Sequence, residues 1–164
     1  MDKLKTGDII LCHGESKDGI INNTIEFFTN SIYEHVGLII KDPWWTKLKG
    51  IYIYQSSSGP NSYKDVLNGK NFGCTLNKLE DFLENRHKIY VRYTENIKWT
   101  DANKNLLKNA FENSHGKPYD KNLCSWIGTG LGSFLNCKWL SKITTSKTTN
   151  YFWCSALVGY VYVC

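Results

Sequence analysis

The chain has no Cys-x-x-Cys pair and no cysteine–histidine cluster at zinc-ligand spacing, although it carries six cysteines and four histidines. Zinc ribbons and thioredoxin-type motifs are excluded as readings of those residues, and neither metal nor other cofactor is expected. No long apolar run occurs. The opening "MDKLKTGDIILCHG" holds only a short apolar stretch, too short for a signal peptide or a membrane span. Reduced thiols in a cytoplasmic or other intracellular compartment are the expectation that follows. Basic residues never gather in a block. Twenty Lys and Arg against fifteen Asp and Glu give +5, spread as single side chains, so no nucleic-acid partner is expected. There is no internal repeat or low-complexity tract. What is there, 41% hydrophobic and 14% aromatic residues over 164 positions, suits one globular domain, 1–164, large enough to bury its own core.

Patterning fills in the elements. "GDIILCHG" reads as a strand stopped by Gly14, and "HVGLIIK" and "GIYIYQSSSGP" as two more. Between the first two, Ile21, Ile25 and Phe28 take the spacing of a short amphipathic helix. "DPWW" is a turn. Its Trp44 and Trp45 are either a tip facing a membrane or substrate, or a lid folded over the sheet. "TLNKLEDFLENR" predicts a short helix capped by Thr75 or Asn77, and "HKIYVRYT" a further strand. From Thr100, a cap, a helix runs with Leu106, Leu107, Ala110 and Phe111 on one face, until Gly116 ends it. "LCSWIGTGLGSFL" is an apolar, glycine-weakened helix. The last eleven residues put Cys154, Leu157, Val158 and Val161 on one helical face. The sum is an α+β domain, a small antiparallel sheet flanked by helices.

Any of the four histidines could be matched with any of the six cysteines, so a Cys–His pair means nothing without context. His87 and His115 read as exposed loop or helix-end residues. His13 is a turn residue or a weaker candidate. His35, at the start of "HVGLII", is either a structural histidine or one fixed by backbone with its ring in a cleft. The cysteines other than Cys154 read as small buried hydrophobes. Tyr151, Phe152 and Trp153 read first as core and second as the wall of an acyl pocket.

The order of six words then carries a resemblance: "GDIIL", "NTIEFFTNSIYEHVGLII", "YIYQSSSG", "TLNKLEDFL", "GKPYD" and "YFWCSALVGYVY". Over nearly the whole chain it is similar to the circularly permuted papain-like cysteine hydrolases, the YiiX/YebB-like relatives of the NlpC-type enzymes. The resemblance implies that fold, with the nucleophile helix near the carboxyl end. Position by position it implies Cys154 as nucleophile, His35 as general base and Gln55 as the orienting third member. It also implies Tyr119, Asp120, Tyr54 and Trp153 as residues that shape the site. Gln55 departs from the glutamate frequent at that position. A neutral amide orients an imidazole but does not stabilise the imidazolium as a carboxylate does.

A thiol at a helix start meets unpaired N–H groups and the positive end of the dipole, which with an imidazolium lowers its pKa from about 8.5 to roughly 3.5–7.5. The activity implied is thiol-dependent cleavage of an amide or ester bond in a peptide, isopeptide or acylated substrate, through a thioester. The rival reading is a pseudo-enzyme that keeps the fold as a binding or structural protein. A lipid acyltransferase or phospholipase is disfavoured, since "WCSALV" stands where the lecithin–retinol acyltransferase group has Asn-Cys-Glu-His-Phe.

Overall fold

The structure, a computed structural model, describes residues 3–13, 33–57, 63–84, 88–95, 97–119 and 150–163. The helices expected around Ile25 and around Trp126 lie outside them, as do Asp120, His87, Cys124, Cys137 and Cys164.

Branched and aromatic residues alternating with small or polar ones build five strands: β1 (Ile9–His13), β2 (Tyr33–Lys41), β3 (Ile51–Ser57), β4 (Gly73–Lys78) and β5 (Ile89–Arg92). They form one antiparallel sheet in the order β4-β3-β2-β1-β5. Three helices are described: α1 (Leu79–Leu83), α2 (Asp101–Ser114) and α3 (Cys154–Val163). The α+β expectation holds.

Because strand side chains alternate, the sheet divides the core in two. Leu38, Ile40, Tyr52, Tyr54, Cys74 and Leu76 face α2 and α3, where they meet Leu107, Phe111, Phe152, Leu157 and Val158. Ile10, Cys12, Ile39 and Ile53 face the other way, onto Leu4, Tyr63, Leu79 and Phe82. The Gly-Asp word has a structural cause. Asp8 is fully buried, and its carboxylate accepts from the Lys5 N–H (2.9 Å), the Thr94 N–H (2.9 Å) and the Thr94 hydroxyl (3.1 Å). It thereby ties the chain before β1 to the chain after β5.

Thr100 caps α2 by accepting from the Asn103 N–H at 3.3 Å, and Gly116 at φ +77° follows its end. Leu106, expected inside, is exposed, because the buried stripe runs through Leu107, Ala110, Phe111 and Ser114. Trp45 lies against Phe111 (ring centroids 5.2 Å apart), while Trp44 stays 38% exposed between Trp45 and Trp99. One tryptophan of the turn therefore folds over the sheet and the other stays at the surface.

Two further expectations fail. Thr75 and Asn77 cap no helix. They belong to β4, and α1 begins only at Leu79, with Lys78 in the cap position and no side-chain cap bond. The alternation Cys74-Thr75-Leu76-Asn77, apolar residues on the α2/α3 face and polar ones on the other, overrides the helical look of "KLEDFL". His115 is not an exposed helix-end residue. It stacks on Phe111 (4.7 Å, 18°), and its Nε2 lies 2.8 Å from the carboxylate of buried Asp65.

Candidate active site

His35 enters from β2 just after an irregularity. β1 pairs Cys12 with His35 but His13 with Tyr33, so one step on β1 faces two on β2. Bulges of this kind re-aim a side chain at a sheet margin. The His35 ring turns to the Phe82 face, with centroids 6.0 Å apart. Two residues on, Gly37 pairs across β3 with Gln55. A Cβ on Gly37 would come within 2.6 Å of two side-chain carbons of Ile53, so glycine is what lets β2 and β3 keep this close register beside His35.

Gln55 projects on the same face and is completely buried. Its Oε1 lies 2.5 Å from His35 Nε2, and its Nε2 donates to Asn77 Oδ1 at 2.9 Å. The Thr75 hydroxyl donates to that same oxygen, also at 2.9 Å. The structure thus joins the two residues that the resemblance names as base and orienting member, and extends them by two that the sequence reading took for helix caps. The signal for Thr75 and Asn77 was the period-2 alternation of β4.

Cys154 is the first residue of α3, at the helix start as expected, and is half-buried. The approach to it is pinned twice. The Phe152 N–H donates to the Pro118 carbonyl (3.1 Å), and the Phe152 carbonyl accepts from the buried Ser56 hydroxyl (2.6 Å). Ser56 directly follows Gln55, which brings the start of α3 to the end of β3. From there α3 runs back along β2, and the Tyr162 hydroxyl donates to the Gly7 carbonyl at its far end. Leu157 and Val158 seat the helix on Leu38 and Tyr54, whereas His35 and Gln55 project from alternate positions toward Phe82. The helix and the imidazole belong to different faces along the strands. The place where they can meet is the sheet end, where β2 begins and β3 finishes.

Of the remaining expected residues, Tyr54 lies away from the pair, and Trp153 and Tyr119 lie by the start of α3. Tyr54 points away from His35 into the α2 face. Its hydroxyl bonds Ser114 Oγ at 2.8 Å and its ring lies 4.8 Å from Phe111, so its role is packing. Burial, first of all, pushes its phenol well above the usual range. Trp153 is half-buried, and its carbonyl accepts the Leu157 N–H at 3.0 Å. Tyr119 is half-buried, one residue beyond the Pro118 carbonyl. Cys12 and Cys74 are buried thiols, as the reading had them. Burial pushes Cys74 up to about 11, which makes it inert.

A five-stranded antiparallel sheet with helices against it is a YiiX-like α+β fold. The structural likeness is to the protein described as metalloprotein YiiX of Escherichia coli O157:H7, with a TM-score of 0.58 at 20% identity. It covers 96% of this chain and 64% of the YiiX chain, so this chain spans less than two thirds of that protein. No family model matches the sequence, and no curated protein does. Among the described residues no three His, Cys, Asp or Glu side chains gather as a metal site would need, and the Gln55 side chain that His35 bonds is a neutral amide. The residues described do not fit a metal centre, and no step below runs through one.

Proposed function

We propose that the chain is a thiol hydrolase or acyltransferase of the permuted papain-like type, with Cys154 as nucleophile, His35 as base and Gln55 as the orienting amide. The observation that carries this reading is the His35–Gln55 bond, held by a buried amide chain beside the end of β3, to which Ser56 fastens the segment leading into Cys154. Gln55 Oε1 at Nε2 requires that nitrogen to carry hydrogen, which leaves the basic lone pair on Nδ1. In the reaction, the Cys154 thiol gives its proton to Nδ1 and the sulfur attacks the substrate carbonyl carbon. The tetrahedral adduct collapses to a thioester as the leaving amine or alkoxide takes the proton from His35. Water, deprotonated by the same nitrogen, then releases the acid and restores the thiol; another acceptor in its place makes the reaction a transfer. The N–H groups of the α3 start face the developing oxyanion and thiolate. Base before nucleophile in the chain is the order that the permuted family has.

The substrate class is an amide or ester: a peptide, an isopeptide or an acylated molecule. A second reading, a pseudo-enzyme that binds without turnover, is favoured by two observations: α3 and the His35 ring occupy different sheet faces, and Gln55 brings no charge. Labelling with a peptide-based electrophile separates the two. The enzyme reading expects one adduct, on Cys154, formed at least about tenfold faster than on an ordinary thiol and slowed in H35A. Equal rates for Cys154 and a model thiol, unchanged in H35A, would support the pseudo-enzyme.

A further inference from the structure

Asn77 has no role in the resemblance, yet it is fully buried next to the site. Its Oδ1 receives both the Gln55 amide and the Thr75 hydroxyl, while its Nδ2 finds no hydrogen-bond partner among the described residues. A buried amide with an unmet donor carries a cost. That cost accompanies one definite arrangement. With the Asn77 oxygen toward Gln55, the Gln55 nitrogen must face Asn77 and the Gln55 oxygen must face His35. If both amides are reversed, Asn77 donates to Gln55, Gln55 donates to Nε2, and the ring hydrogen moves to Nδ1. The base then points at Gln55 instead of away from it.

We infer that Asn77 is a positioning residue. Its oxygen fixes the orientation of Gln55 and thereby sets which nitrogen of His35 is the base. The two amides act as one two-position relay from β4 through β3 to β2, and neither position needs a charge. The catalytic consequence rests on the thiol-hydrolase reading; the tautomer itself does not.

Two substitutions separate a relay from a filler of space. N77D presents only acceptors to Gln55 and Thr75, so it retains the tautomer with hydrogen on Nε2. Its charge moves the His35 titration to higher pH. N77A removes the acceptor and frees Gln55 to turn, and the form with hydrogen on Nδ1 rises by about tenfold relative to the other, the worth of one hydrogen bond. Long-range nitrogen–proton NMR of the His35 ring in the full chain, assigned with H35Q, reads both. An N77A spectrum identical to the parent, or an N77D spectrum that has lost the Nε2 hydrogen, would overturn the inference. Because the readout needs no turnover, an inert Cys154 would sink the proposed activity while this result still decided the role of Asn77.

Discussion

Replacing Asp65 by alanine is the change whose cost follows most directly from the geometry. The carboxylate is buried and accepts four bonds. Oδ1 takes the Leu67 and Asn68 N–H groups, each at 2.8 Å, and Oδ2 takes the Leu76 N–H at 2.6 Å and His115 Nε2 at 2.8 Å. Burial alone would raise its pKa. The bonds from His115, Leu76 and Asn68 outweigh it and hold the carboxyl below its usual value. The His115 side chain is only 17% exposed, so losing its bond to the carboxylate falls at the upper end of the roughly 1.5–3 kcal/mol for a hydrogen bond to a charged group. The Leu76 N–H, left buried without an acceptor, adds about 1 kcal/mol, and the two turn N–H groups add less because water reaches them. D65A should therefore cost about 4 kcal/mol, a large share of the roughly 5–15 kcal/mol typical of a domain. D65N, which keeps Oδ1 for the turn, should cost about 2 kcal/mol. Urea unfolding at neutral pH measures both, with an unchanged m-value as the sign that only stability moved. A folded-state pKa below the unfolded one gives stability that is whole above about pH 4 and lost as pH falls through the lowered value. D65N should remove that part of the acid dependence. A D65A loss under about 1 kcal/mol at unchanged m would refute the account of this network.

Three further outcomes are expected. S56A removes the hydroxyl that holds the Phe152 carbonyl; it should cost about 1 kcal/mol and slow Cys154 labelling, and unaltered labelling would detach Ser56 from the site. Gly73 sits at φ +78°, and a Cβ there would lie 2.3 Å from the Lys117 carbonyl oxygen. G73A should therefore lose more than about 2 kcal/mol, read by thermal unfolding, and a neutral result would contradict the close approach of β4 to that turn. Cys74, pushed up to about 11, should be about one part in ten thousand thiolate near pH 7. Iodoacetamide with mass mapping should find it unmodified until denaturant is added.

Legibility in the sequence followed the length and regularity of each pattern. "HVGLII" and "IYIYQSS" are compact runs of branched and aromatic residues bounded by turn signals, so both read as strands, whereas the joining of His35 and Gln55 came from the resemblance and not from spacing. Thr100 and Gly116 mark their helix by local backbone chemistry, which needs no tertiary context. β4 was hidden because its six residues run straight into α1, and a Thr or Asn before "KLEDFL" looks like a cap when its cross-strand partner is unseen. Asn77 was missed for that reason. His115 was misjudged because its partner, Asp65, is fifty residues away in a polar turn, a distance over which no periodicity carries information. Tyr54 was misplaced by proximity in sequence. In a strand, the neighbour of a site residue points to the opposite face.

The central claim is that His35 activates Cys154, and the rate of Cys154 alkylation as a function of pH tests it most directly, with Cys12 and Cys74 followed as internal references. The account predicts a rate plateau that sets in below about pH 7.5 and is lost in H35A, with Q55A reducing it and Q55E extending it. A Cys154 profile that rises with a midpoint near 8.5, the value of an unperturbed thiol, and that is the same in H35A would contradict it.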